Sequence, residues 1–203
     1  MIIERGSTMK KNMLITLILC IGLLCACKPS NANISPATSI DPPSNIYIGM
    51  PLGEFKELYP DRDENPDGTC FYYWTQYAFF EDTNGNPVVV HFTYDDYLNG
   101  EVSSVDAYDK NEINLTDEAF GALSGGMTVQ EIVSRVGLPD PVCFNHHQLR
   151  WTFSNENVDV KYLIQLTEKN GQPNDDFALY LLHRMEGDVH SYPIGSEPWY
   201  PSK

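Results

Sequence analysis

The sequence predicts an α+β fold made of two tandem repeats, each with one or two short helices packed on a three- to four-stranded antiparallel sheet. Two landmarks recur at a single spacing of 77 residues: Gly49-Met50 with Gly126-Met127, and Trp74-Thr75 with Trp151-Thr152. A unit of this length that is repeated once is typical of tandem small domains and not of a solenoid. We therefore place the first repeat at residues 45–110 and the second at residues 111–187.

The second repeat has the clearer pattern of elements. Thr116 can cap a short helix with an acidic first turn, and Thr128 lies at capping-box spacing from Glu131. Apolar residues then follow the spacing of one buried helix face until Gly137 ends the helix. Three strand-like runs come next, over 148–154, 158–167 and 177–185.

The first repeat has a shorter helical part. Pro51 occupies the position that proline prefers at a helix start, and Leu52, Phe55 and Leu58 give the helix an apolar side. Runs of β-branched and aromatic residues then predict three strands, over 70–80, 87–97 and 102–108.

Residues 1–26 are predicted to be a signal peptide of the lipoprotein type. Lys10-Lys11 give a charged start, and the apolar run behind them is shorter than the roughly 20 residues of a membrane-spanning helix. Leu24, Ala26 and Cys27 resemble the bacterial lipobox. This resemblance implies that Cys27 is lipidated and becomes the mature N-terminus. The alternative is an ordinary signal peptide or a hydrophobic anchor.

Two further segments are predicted to lie outside the repeats. Residues 27–44 are rich in Pro, Ser and Asn and contain almost no large apolar residue, which predicts a flexible tether between the lipid and the folded part. Residues 188–203 contain three prolines and are predicted to form an irregular C-terminal tail.

The chain is strongly acidic, with a formal net charge of −15. Loss of residues 1–26 would remove one acidic and three basic side chains and bring the charge to −17. Such a surface argues against a nucleic-acid partner and against electrostatic docking on anionic lipid. The expected membrane contact is therefore the N-terminal lipid alone.

No cofactor, metal site or catalytic residue is expected. The acidic loops 61–68 and 81–86 begin like calcium loops, but Pro66 occupies the position of the required glycine in the first, and Thr93 the last ligand position of the second. We interpret both loops as solvated turns. The sequence has no recognisable nucleophile elbow or glycine-rich phosphate loop, which favours a protein that is not an enzyme.

Two cysteines follow Cys27. In an oxidising compartment Cys70 and Cys143 could form one disulfide. The alternative is two buried, unpaired thiols, and the sequence leaves both open.

The run from Gly126 to Pro139, GMTVQEIVSRVGLP, resembles the signature of the BamE/SmpA outer-membrane assembly lipoproteins. It is also similar to the tandem-repeat beta-lactamase inhibitory protein. In both groups a helix-turn-helix precedes a small antiparallel sheet, and in the inhibitory protein two such units form a concave binding sheet. The resemblance covers 46–108 and 116–185, and it implies an extracytoplasmic repeat protein that binds another protein.

Strand alternation predicts which side chains would make that binding face. With Trp151 facing the helices, Arg150 and Lys161 point outward. The same parity in the first repeat turns aromatic side chains to the open face, and exposed aromatic area among polar neighbours commonly marks a binding site. The predicted contacts are Tyr73, Tyr77, Phe79, His91, Arg150 and Lys161. The alternative is that the other repeat, the tether or the tail covers these rings.

These patterns together favour a non-enzymatic, lipid-anchored extracytoplasmic protein. It would bind another envelope or secreted protein through an open sheet face. The alternative from another class is a binder of a small ligand or cell-wall glycan, or a hydrolase that uses acidic residues.

Overall fold

The computed structural model describes residues 34–62, 64–73, 76–93, 99–141, 148–155, 158–168 and 177–186. Residues 33–203 fall into one compact unit. The predicted signal peptide, Cys27 and the C-terminal tail lie outside the described residues, as do Trp74-Thr75 and Cys143. Within the described ranges, none of the helices has the length and apolar character that crossing a membrane requires.

The fold is α+β, as predicted, with two antiparallel sheets and a few short helices. The first sheet has five strands in the order β1-β5-β4-β3-β2. Its members are β1 (Ser39–Ile40), β2 (Phe71–Tyr73), β3 (Tyr77–Glu81), β4 (Pro87–Phe92) and β5 (Val102–Tyr108). The single strand predicted over 70–80 is wrong. The backbone turns where Gln76 N donates to Tyr73 O at 3.1 Å, and two strands form in its place.

The second sheet has three strands in the order β6-β7-β8 and is preceded by short helices. The elements are a 3-10 helix (Lys110–Glu112), α2 (Asp117–Gly121), α3 (Val129–Val136), β6 (Gln148–Asn155), β7 (Val158–Glu168) and β8 (Phe177–Glu186). Thr116 caps α2, and Thr128 and Glu131 form the predicted capping box at the start of α3. Gly137, with φ of 80°, ends α3 as predicted.

One face of the first sheet packs against α1 (Leu52–Leu58). Phe55 of this helix lies edge-on to Phe92, with ring centroids 5.2 Å apart, and tilted against Phe80 at 6.2 Å. Tyr72 points to the same side, so the predicted parity of these strands is confirmed. This face forms one of two hydrophobic clusters.

The opposite face of the first sheet is covered by α2, α3 and the second sheet. A second hydrophobic cluster joins it to Phe120 of α2, Trp151 of β6 and Phe177 of β8. We name the contact between the sheets the aromatic seam, formed by Tyr73, Tyr77, Phe79 and Phe177. The ring of Phe177 lies 6.2 Å from Tyr73 and 6.4 Å from Tyr77, and Phe177 N donates to Tyr77 Oη at 3.2 Å.

Part of the predicted tether is folded onto the body. Residues 34–40, which we name the strap, include β1, and Ser39 of β1 pairs with Tyr108 of β5. Ala37 N donates to Ser134 O on α3 at 2.6 Å, and Ala37 is buried. The strap therefore touches the first sheet and α3 together. The prediction of a flexible tether that extends to residue 44 is wrong for these residues.

The two Gly-Met landmarks make the same backbone contacts. Gly49 N donates to Val102 O at 2.8 Å, and Val102 N donates to Met50 O at 2.9 Å. The counterparts 77 residues later are Gly126 N to Leu179 O at 2.9 Å and Leu179 N to Met127 O at 2.7 Å. Both glycines have positive φ, 85° and 86°. The halves differ elsewhere, since one sheet has five strands and the other three.

The aromatic seam predicts a stability effect at Phe79. Phe79→Ala should lower the free energy of unfolding by about 3–5 kcal/mol, because it removes a ring that is buried between the sheets. Leu58→Ala is the matched control: Leu58 is an exposed residue of α1, and a change of less than about 0.5 kcal/mol is expected. Urea unfolding followed by far-UV circular dichroism measures both. Equal stability of Phe79→Ala and the unaltered protein would contradict the seam.

Candidate functional site

Three of the six predicted contacts are not on the surface. Tyr73, Tyr77 and Phe79 are 1%, 0% and 3% exposed, because the second half of the chain covers the sheet face that carries them. Their predicted parity is right, but their predicted exposure is wrong. These three rings hold the fold together and are not available to a partner.

His91, the fourth predicted contact, lies where the covered part of this face ends. It pairs with Tyr77 across the β3–β4 ladder, and the two rings stack with centroids 4.7 Å apart. Ser103 Oγ donates to His91 O at 2.9 Å and lies 2.9 Å from His91 Nδ1. Since the serine proton is used on the carbonyl, Nδ1 carries the hydrogen of the second bond. The imidazole is therefore held on two sides.

A cavity of about 480 Å³ lies next to His91, and we name it the polar crevice. Its walls are strands β4 and β5 on one side and the first turn of α3 on the other. Its described lining residues are His91, Thr93, Ser103, Ser104, Asp106, Thr128 and Gln130. Ser104 Oγ donates to Asp106 Oδ2 at 3.1 Å, and Thr128 Oγ1 accepts from Glu131 N at 3.2 Å. Gln130 Oε1 is buried and has no hydrogen-bond partner among the described residues.

Ser104, Asp106 and Gln130 were not predicted as site residues. A signal for two of them is present in the sequence, because alternate residues of β5 share a face and Ser104 lies opposite His91 in the register. Gln130 gives no comparable signal. Its position depends on how α3 meets the first sheet.

Arg150 and Lys161, the last two predicted contacts, lie on the face of the second sheet that points away from α2 and α3. Leu149 and Trp151 face inward as predicted, and Trp151 Nε1 donates to Gly137 O at 2.9 Å. We name the opposite side the outer face and define it by Arg150, Thr152, Lys161, Leu163 and His183.

The charges of the outer face are organised around Asp140. Arg150 Nε donates to Asp140 Oδ2 at 2.6 Å, and Thr152 Oγ1 donates to the same oxygen at 2.7 Å. Lys161 is 3% exposed, which corrects its prediction as an exposed contact. Burial and, second, the nearby Arg150 lower the pKa of Lys161, whereas Asp140 opposes the change.

The loop 81–86 behaves as a turn in the structure. Asp82 accepts hydrogen bonds from Asn84 N at 2.7 Å and from Asn86 N at 2.9 Å. Desolvation raises the pKa of Asp82, but the hydrogen bonds from Asn86 and Asn84 outweigh it, and the net shift is downward. Lys110 Nζ donates to Asn84 O and fastens the turn to the 3-10 helix. Among the residues that the structure describes, no group of His, Cys, Asp and Glu could hold a metal ion.

Cys70 is a free thiol in the structure and is completely buried against α1. The suggested Cys70–Cys143 disulfide is therefore not formed by Cys70 here, and Cys143 itself lies outside the described residues. Burial raises the pKa of the Cys70 thiol to about 12.

No protein-family model, curated protein or solved structure matches this chain. The functional argument consequently rests on the outer face and the polar crevice themselves.

The raised pKa of Cys70 predicts low reactivity. At neutral pH the thiolate fraction should be roughly a thousandfold below that of an ordinary cysteine, because the pKa rises from 9.0 to about 12 and only the thiolate attacks. The measurement uses Ellman's reagent on a variant in which every cysteine except Cys70 is serine. Reaction should be slow when folded and rapid in urea. Rapid reaction of the folded protein would contradict an enclosed thiol.

Proposed function

We propose that the chain is a non-enzymatic, lipid-anchored extracytoplasmic protein that binds another envelope or secreted protein. The outer face of the second sheet is the proposed binding surface. The observation that carries this proposal is the side-chain arrangement there. Arg150 is held by Asp140, and the apolar Leu163 lies between Lys161 and His183 on a sheet whose other face is the core.

The charge of this face suggests the chemistry of its partner. The chain as a whole carries a net charge of −15, yet Arg150 and Lys161 bring two cations together on the outer face. A partner that presents a carboxylate beside an apolar side chain would complement this arrangement. Fixed charged groups next to a partly buried apolar residue supply orientation and desolvated contact area together.

We also propose that the two halves are copies of one duplicated unit. Support comes from the matched contacts of Gly49-Met50 and Gly126-Met127, each of which precedes a helix and pairs with the last strand of its sheet. The isolated bridges Pro51–Glu101 and Thr128–Ala178 have the same spacing of 77 residues. In this proposal the second copy kept its outer face for binding, and the first copy lost its own to the aromatic seam.

The second candidate function, small-ligand binding, is favoured by a separate observation. The polar crevice brings six polar side chains and a buried, unpartnered amide oxygen to one cavity. Its chemistry is argued in the next subsection.

The proposed lipid anchor predicts a difference between two neighbouring cysteines. Cys27→Ser should abolish incorporation of a fatty-acid probe and release the protein from the membrane fraction, because the acylated thiol would be lost. Cys25→Ser is the matched control and should leave both unchanged. Metabolic labelling in a bacterial host, followed by fractionation, measures the result. Retained label in Cys27→Ser would contradict the anchor site.

The outer face predicts where a partner should cross-link. A photo-reactive amino acid at the exposed His183 should give a discrete adduct in the producing cell, and one at the exposed Glu57 on α1 should give none. Adding Leu163→Glu should reduce the adduct by about tenfold or more, because it places an unpaired charge in the contact. Leu58→Glu is the matched control. Equal adducts from both positions, or an undiminished adduct with Leu163→Glu, would contradict this surface.

A further inference from the structure

We propose that the polar crevice binds an uncharged, polyhydroxylated ligand of the sugar class. This goes beyond the proposed function, because the crevice lies on the first sheet and α3 and the outer face lies on the second sheet. The two sites share no residue.

The crevice has a rigid floor. His91 is stacked on Tyr77, whose hydroxyl accepts from Phe177 N, so the imidazole rests on the aromatic seam. Ser103 holds its other side through two contacts of 2.9 Å. Pre-positioned polar groups lose little entropy when they bind, which favours recognition of a small ligand.

The walls of the crevice are also held in place. Ser104 is fixed by Asp106, and Thr128 is fixed as the cap of α3. The cavity of about 480 Å³ falls within the usual range of small-molecule sites, about 300–1,000 Å³. It lies where the first sheet meets a helix of the other half, and such junctions often form binding sites.

The inventory of polar groups points to hydroxyl donors on the ligand. A carboxylate has about four acceptor positions, and Ser104 occupies one of those of Asp106. Gln130 Oε1 is a buried acceptor without a partner among the described residues. A buried acceptor that stays unpaired costs about 1–3 kcal/mol, so a hydroxyl group that donates to Gln130 would be favoured. Serine and threonine hydroxyls can donate to and accept from the remaining sugar oxygens.

The same inventory disfavours charged and apolar ligands. The described lining residues include no lysine or arginine to pair with a phosphate or carboxylate. They include one carboxylate, and no metal-binding group was found in the described part of the chain. None of the side chains that line the cavity is apolar. A neutral ligand that is rich in hydroxyl groups fits this set of residues best.

The test is a titration of the ¹⁵N-labelled folded protein with neutral trisaccharides: cellotriose, maltotriose and the N-acetylglucosamine trisaccharide. At least one should bind and shift the amide resonances of Ser104, Asp106 and Thr128. Inorganic phosphate is the anionic comparison and should leave them unshifted. Gln130→Ala should weaken binding about tenfold, because it removes the buried acceptor, and alanine keeps the helix intact. Ser104→Ala should also weaken it.

Ser154→Ala is the matched control, since it removes an exposed serine hydroxyl on β6, and it should bind like the unaltered protein. The proposal is overturned if no trisaccharide shifts the crevice amides, if phosphate shifts them equally, or if Gln130→Ala and Ser104→Ala bind normally while still folded. Cross-linking from His183 is unaffected by any of these outcomes, so this site and the proposed protein-binding surface fail separately.

Discussion

The structure depends on the burial of one aromatic sheet face under the second half of the chain. Tyr73, Tyr77 and Phe79 each bring a large ring to this face, and aromatic side chains bury about 150–250 Å² each. The one polar atom of Tyr77 is satisfied across the seam by the backbone of Phe177, so its burial leaves no donor or acceptor unpaired. Because this contact joins the two sheets, residues 33–203 form one unit and not two independent repeats.

Features determined by neighbouring residues could be predicted from the sequence. The capping box of Thr128 and Glu131, the end of α3 at Gly137 and the inward position of Trp151 all depend on contacts within a few residues or on strand alternation. The turn between β2 and β3 was missed for a related reason. Tyr73 and Tyr77 are four residues apart, so a turn between them leaves the alternation unbroken and a single long strand looks the same.

Features determined by distant parts of the chain could not be predicted in this way. Alternation shows that Tyr77 and Phe79 share a face, but an exposed binding face and a covered core face have the same period. The strap shows the same limit. Its composition is that of a linker, yet Ala37 is buried and hydrogen-bonded to α3. If Cys27 is acylated, seven residues separate it from Ile34, a reach of at most about 25 Å. The strap would then hold the body close to the bilayer.

The two candidate sites are consequences of how far the second half extends over the first sheet. On β3 the covered face carries Tyr77 and Phe79, where burial is favourable. On β4 and β5 the same face carries His91, Ser104 and Asp106, which are costly to bury without partners, and there the cover gives way to the polar crevice. Covering the first sheet also leaves the second sheet with its outer face turned away from the core. The packing that removed the predicted aromatic surface therefore separates the protein into two chemically different sites, a polar cavity and a partly cationic sheet face.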